Sequence, residues 1–208
     1  TYSLGNLEVN SIGFQSGRSL LGFGASRNYS LNPNIKTQPR FETTLFLEND
    51  SKVEIYNNDR LIETLHLRSG EVELRDLPST SGENNLVILI TDSFGSEKVY
   101  NLPFIYESSL LDPDYSEFNF QFGIPLHGSG LQRRYDRSNP LLLAYYRKGL
   151  FESYTAGGYI KSGRKHSLIG TEGVLAIPLA LLSYDLSLST TENQDQGYIC
   201  ELSLRNYR

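Results

Sequence analysis

The chain of 208 residues has no methionine, a single cysteine and only three histidines. It also lacks a charged-then-apolar leader at its start. It is therefore expected to begin after a removed signal peptide, or to be a piece of a longer protein. The lone Cys200 cannot form an internal disulfide. Within the alternating run from Tyr198 to Asn206 it reads as a small buried or lipid-facing thiol. Neither Cys200 nor His66, His127 and His166 has the partner spacing of a catalytic thiol or a metal site. No apolar stretch approaches the roughly 20 residues of a transmembrane helix. This excludes helical membrane spans but not a membrane barrel, whose strands turn only alternate residues to lipid. A net charge of −5 leaves no basic footprint for nucleic acid. Helical periodicity is almost absent as well.

What is present is alternation of two kinds. From Phe41 to Tyr106, short apolar-alternating runs are separated by turn clusters at Asn57–Arg60, Arg68–Gly70, Ser79–Asn85 and Asp92–Ser96. This spacing predicts a small β-sandwich, with Val53, Ile55, Leu65, Val72, Leu74, Ile88 and Ile90 in its core. The run Leu86–Ile90 is apolar on both faces and reads as a central strand.

The flanking strands are different, rich in glycine, aromatics and small polar residues. Two are expected before the sandwich, Tyr2–Ile12 and Leu20–Leu31. In the second, Leu21, Phe23, Ala25, Arg27 and Tyr29 oppose Gly22, Gly24, Ser26 and Asn28. After Asp112-Pro113-Asp114 come a strand around Phe118–Phe122 and five more: Leu141–Leu150, Tyr154–Lys161, His166–Ile177, Leu181–Thr190 and Tyr198–Tyr207. Their length of about ten residues is that of a tilted membrane-spanning strand. Phe118, Phe120, Phe122, Ile169, Leu175, Leu186, Leu188, Leu202 and Leu204 would then face lipid. Glu117, Gln121, Glu172, Asp185, Glu201 and Arg205 would face a lumen. Tyr145, Tyr146, Phe151, Tyr154, Tyr198 and Tyr207 would form interfacial girdles. A water-soluble sheet with one solvated face alternates in the same way and remains an alternative.

The order of parts resembles the outer-membrane usher family of the chaperone–usher fimbrial (pilus) biogenesis pathway. The resemblance rests on Val53-Glu54-Ile55-Tyr56-Asn57-Asn58-Asp59-Arg60-Leu61-Ile62, on Gly70-Glu71-Val72-Glu73-Leu74-Arg75-Asp76-Leu77, and on Leu86-Val87-Ile88-Leu89-Ile90-Thr91-Asp92-Ser93-Phe94-Gly95. It covers the inserted module and its junctions, about half of the chain. One departure is Asp59-Arg60, which stands where the family pattern carries a turn glycine. Ushers are also several times longer, so the chain is expected to be a fragment or a short divergent relative. About eight strands lie outside the module, too few for a pore that passes a folded subunit.

The resemblance implies an all-β fold, with antiparallel transmembrane β-barrel strands and an inserted β-sandwich plug domain. It implies barrel strands at 1–35, the plug at 36–112 and further barrel strands at 113–208. The implied role is a pore segment for assembly and secretion of fimbrial subunits, gated by a plug on flexible linkers, Lys36–Arg40 and Glu107–Asp114. The implied partners are fimbrial subunits, their periplasmic chaperone and outer-membrane lipid, with no nucleic acid. A soluble or cell-surface β-sandwich binding or adhesion module is the alternative. No catalytic, cofactor or metal site, and no cofactor, is expected.

The remaining polar groups read as structural. Glu71 and Glu73, with Asp76 following, sit on an exposed strand face where carboxylates are solvated rather than paired for acid–base work. Asp92-Ser93-Phe94-Gly95 reads as a turn that Asp92 caps, with a positive φ at Gly95. Arg133, Arg134, Asp136 and Arg137 read as a solvated hairpin loop, or as a pore-lining or head-group contact. Gly157-Gly158 reads as a strand bend.

Overall fold

A computed structural model of the chain describes residues 1–8, 11–17, 19–27, 29, 35–39, 41–75, 77–127, 134–177, 180–193 and 195–206. The elements described in full are all strands. Before the inserted module lie β1 (Tyr2–Leu7) and β2 (Leu20–Arg27). The module holds β3 (Glu42–Leu47), β4 (Ser51–Asn57), β5 (Arg60–Leu67), β6 (Gly70–Arg75), β7 (Gly82–Asp92) and β8 (Glu97–Tyr106). After it come β9 (Ser116–His127), β10 (Arg134–Tyr135), β11 (Leu141–Phe151), β12 (Tyr154–Gly163), β13 (His166–Ile177), β14 (Ala180–Thr191) and β15 (Gln196–Asn206).

The chain divides into two compact units. One comprises Thr1–Thr37, Leu110–Leu175 and Leu181–Leu204; the other is Gln38–Ser109 with the short pieces Ala176–Ala180 and Arg205–Arg208. In the first, strands follow the order β1-β2-β9-β11-β12-β13-β14-β15, with β10 paired to β9. The pairs with a described register are antiparallel. β2 and β9 are separated in sequence by the whole of the second unit, yet they are direct neighbours. Leu20 lies opposite Pro125, Gly22 opposite Gly123 and Arg27 opposite Phe118.

The second unit packs a two-stranded sheet, β3-β6, against a four-stranded one, β5-β4-β7-β8. Between them lie Leu45, Leu47, Val53, Ile55, Leu74, Leu77, Leu86, Ile88 and Ile90, all buried. Each such burial contributes roughly 1.5–3 kcal/mol. Leu65 and Val72, expected in the core, are half-buried at its margin. β7 lies inside this sheet, between β4 and β8.

The β4–β5 hairpin closes through Asn58 and Asp59, with φ of 49° and 63°. Asn and Asp tolerate this left-handed region better than other side-chain-bearing residues, so the type I′ turn forms without glycine. Asn58 also anchors the turn to β7: its amide donates to Asn85 O at 3.0 Å, and its Oδ1 accepts from the Asn85 amide at 2.9 Å.

Asn84 on β7 is fully buried. Its Oδ1 accepts from Asn57 Nδ2 at 2.8 Å and from the Thr80 amide at 3.0 Å. Its Nδ2 donates to Thr80 O at 2.8 Å and Gly82 O at 3.0 Å. One side chain thus fixes the β6–β7 connection. Asp76 lies outside the described residues, as does Tyr207.

Two sequence expectations are corrected here. The first strand ends at Leu7 rather than Ile12, because Gly13 (φ 54°) turns the chain and the Gln15 amide bonds Ile12 O at 3.1 Å. The second strand is described from Leu20 to Arg27, and its expected end at Leu31 lies outside the described residues. The return linker is not loose: Leu110 and Leu111 are buried, and the Asp112 amide donates to Thr37 O at 2.8 Å.

Residues 38–109 expressed alone should unfold in one cooperative transition. Asn84→Leu should lower their stability by roughly 3 kcal/mol, because it strands the Asn57 and Thr80 donors without water. Urea unfolding followed by circular dichroism measures this, and a change below about 1 kcal/mol would contradict the role given to Asn84.

Candidate functional site on the polar face of the sheet

Strand alternation gives the first unit's sheet two faces, one that exposes aromatic and aliphatic side chains and one that buries several polar ones. On β9, Asn119 and Gln121 are 5% and 6% exposed, whereas Phe120 and Phe122 are 38% and 52% exposed. The register carries this division across the sheet. Phe118, Phe120 and Phe122 lie opposite Tyr146, Ala144 and Leu142 of β11, and Ile160 of β12 lies opposite Ile169 of β13. Leu186 and Leu188 on β14 are exposed, and Ser187 between them is buried. On the edge strand β15, Leu202, Leu204, Glu201 and Arg205 are all exposed.

The polar face carries a row of charges across four strands. Glu117 of β9 lies opposite Arg147 of β11, which lies opposite Gly157 of β12, which lies opposite Glu172 of β13. Arg147 reaches both acids, with its Nη1 3.5 Å from Glu117 and its Nε 2.6 Å from Glu172. The second contact has to cross β12. A Cβ on Gly157 would stand 2.7 Å from Arg147 Cγ and 3.0 Å from the Glu172 carboxylate. Gly157 is therefore the gap through which the guanidinium passes, not the strand bend expected from the sequence.

The next row holds Asn119, Tyr145, Tyr159 and Gly170. Tyr145 therefore points to this face and is not a girdle residue; Tyr146 takes the opposite face. Tyr159 is buried, its ring stacks over Gly170, and its hydroxyl donates to Asp185 of β14.

Residues 11–17, which join β1 to β2, lie across this face. Gln15 Nε2 donates to Ala144 O at 3.0 Å and Ile160 O at 2.8 Å. The Phe14 amide donates to Tyr159 Oη at 3.4 Å, and Lys161 Nζ bonds Ser16 O at 3.1 Å. Gln121 Nε2 donates to Glu8 O at 3.0 Å. One end of the face is apolar, where Leu7, Leu20, Leu141 and Leu143 cluster. Glu117, Gln121, Glu172 and Asp185, expected to share a face, do share this one. Gln15, Tyr159 and Lys161 had no signal in the sequence, because their partners are 26 to 145 residues away.

The other sequence candidates lie elsewhere. Glu71 and Glu73 are exposed on β6, and Glu73 pairs with Arg75. Asp92 Oδ1 accepts from the Ser96 amide at 2.8 Å and the Phe94 amide at 2.9 Å. These bonds, that from Ser96 foremost, hold its carboxyl below the ordinary carboxylate range. His66 lines the same shallow cleft as Asp92 and Ser93, but the Asp92 carboxylate is committed to its turn. Gly95 has φ 81°. Asp136 is likewise pulled down, chiefly by the Ser138 hydroxyl, and lies 3.9 Å from His127 Nε2. Arg133 is outside the described residues; Arg134 lies on β10. Cys200 is exposed on β15. Among the described residues, no group of three or more His, Cys, Asp or Glu is placed to hold a metal.

Replacing Gly157 with valine should force Arg147 off Glu172, and Arg147→Ala should leave both Glu117 and Glu172 without the guanidinium that pairs with them. Both should cost roughly 3–5 kcal/mol, the penalty for stranding a half-buried charge. Heat-modifiability on gels after reconstitution would register the loss. If both variants kept the native melting point, the ion row would have no structural role.

No family model and no curated protein matches the chain. Solved structures do. The E. coli P pilus tip assembly intermediate PapC-PapD-PapK-PapG, in its second conformation, is similar over 98% of this chain and 25% of the matched chain, at 16% identity and a TM-score of 0.54. The P pilus usher (PapC) translocation pore is similar over 98% of this chain and 40% of that one, at 17% identity and a TM-score of 0.45. A crystal structure of the Usher PapC translocation pore gives 98% and 42%, 18% identity and a TM-score of 0.48. The chain thus spans between a quarter and about two-fifths of these three chains. It shares its all-β antiparallel architecture with part of an usher.

Proposed function

We propose that the chain is a segment of an outer-membrane usher pore for assembly and secretion of pilus subunits, with the second unit as the plug that closes its lumen. The observation that carries the reading is the contrast between the two faces of the sheet. A face that exposes Phe120, Phe122, Ile169, Leu186 and Leu188 while its reverse buries Asn119, Gln121 and Ser187 suits lipid outside and a polar interior within. The neighbouring placement of β2 and β9 adds to it. A compact unit leaves one strand and returns to the next, so the strands pair without it and it can move without breaking the sheet.

On this reading the outward strands contact outer-membrane lipid, and the partners are pilus subunits and their periplasmic chaperone, as the resemblance to ushers implies. The chemistry is transport rather than catalysis. The charged row and the Tyr159–Asp185 pair would keep the inner wall stiff and wetted while cargo passes.

Removing residues 38–109 and joining the flanking strands by a short linker, in the complete pore, should leave insertion intact. The pore should then conduct continuously in planar bilayers and admit large antibiotics that intact cells exclude. A variant that inserts normally with unchanged conductance would overturn the plug role and favour a binding or adhesion module.

A further inference from the structure

The return path from the second unit is built into the wall of the first. The Leu111 amide donates to Thr155 Oγ1 at 2.7 Å, and the same hydroxyl lies 3.4 Å from Leu111 O, to which it donates. Thr155 is fully buried, so its hydroxyl serves the backbone of this segment rather than water. Opposite Thr155 in the β11–β12 register stands Gly149. A Cβ there would lie 2.1 Å from Leu111 O and 2.5 Å from Asp112 O, so the segment is seated where no side chain fits.

The seat extends in both directions. Asp112 Oδ1 accepts from the Asp114 amide at 3.1 Å, the Tyr115 amide donates to Asp112 O at 2.8 Å, and the Gly149 amide donates to Tyr115 O at 3.3 Å. The Asp112 amide donates to Thr37 O at 2.8 Å, which binds the outgoing tether to the returning one. Thr37, Leu110 and Leu111 are all buried.

We infer that Thr155 and Gly149 hold the two tethers together as one clasp, so that the second unit pivots only beyond it, at the Thr37–Gln38 and Ser109–Leu110 junctions. An ordinary lead-in to a strand needs its own turn hydrogen bonds, and Asp112 supplies those. It does not need a buried hydroxyl addressed to Leu111, a glycine seat on another strand, or a bond to the opposite tether. Two free linkers would let the unit roll about separate points. A closed clasp makes it turn as a flap about one axis. This consequence rests on the plug reading given above; the clasp itself does not.

Amide hydrogen exchange on the complete protein in detergent micelles tests the clasp. Residues 110–115 should exchange as slowly as β11. Thr155→Val should speed that exchange at least tenfold, with β7 and β11 unchanged, and Thr155→Ser should restore it. Gly149→Ala should act like Thr155→Val. Exchange of 110–115 in the unaltered protein as fast as in the Glu152–Ser153 turn, or no effect of Thr155→Val, would overturn the clasp. In planar bilayers, Thr155→Val should raise the open fraction severalfold. Faster exchange with unchanged gating would overturn the pivot and leave the plug reading to the deletion variant.

Discussion

The antiparallel pairing of β2 with β9 is the constraint from which the rest of the first unit follows. These strands are far apart in sequence, yet their backbones run in continuous register from Leu20–Pro125 to Arg27–Phe118. Because a strand's side chains alternate with period two, that register fixes which residues of β9 face each way. β11, β12 and β13 inherit the choice through their own registers. The same pairing brings both tethers to one end of the sheet, where Thr37 and Asp112 can meet.

Burying the polar face has an energetic cost that the side chains offset among themselves. Arg147 lies between two carboxylates, Tyr159 bonds Asp185, and Gln15 bonds two carbonyls of the sheet. A buried ion pair contributes little net stability, but losing one partner strands the other. The arrangement therefore specifies geometry more than it adds stability, which is what a wall of constant shape requires. The glycine opposite Arg147 is part of that specification, since any side chain there would block the contact with Glu172.

Much of the architecture was legible in the sequence because it is written in short-range alternation. The two strand types, the central place of Leu86–Ile90, the Asp92 cap and the shared face of Glu117, Gln121, Glu172 and Asp185 all follow from period two and turn chemistry. What was not legible depends on distant partners. Nothing local distinguishes Thr155 from any strand threonine, or reveals that Gly149 seats a tether. Gln15 reads as a loop residue until Ala144 and Ile160 come beside it. Tyr145 was misplaced because two adjacent tyrosines cannot both face outward, and its neighbours leave the choice open. Register against Asn119 and Tyr159 decides it.

The central claim is that the sheet stands between lipid and a polar interior. Nitroxide labels placed singly from Glu117 to Ile124 on β9, in the complete protein reconstituted in lipid bilayers, test it directly. Collision with dissolved oxygen should peak at positions 118, 120, 122 and 124, and collision with a water-soluble nickel chelate should be lowest there, a period of two. Labels equally open to the chelate on both faces, or alternating in the opposite phase, would contradict the account.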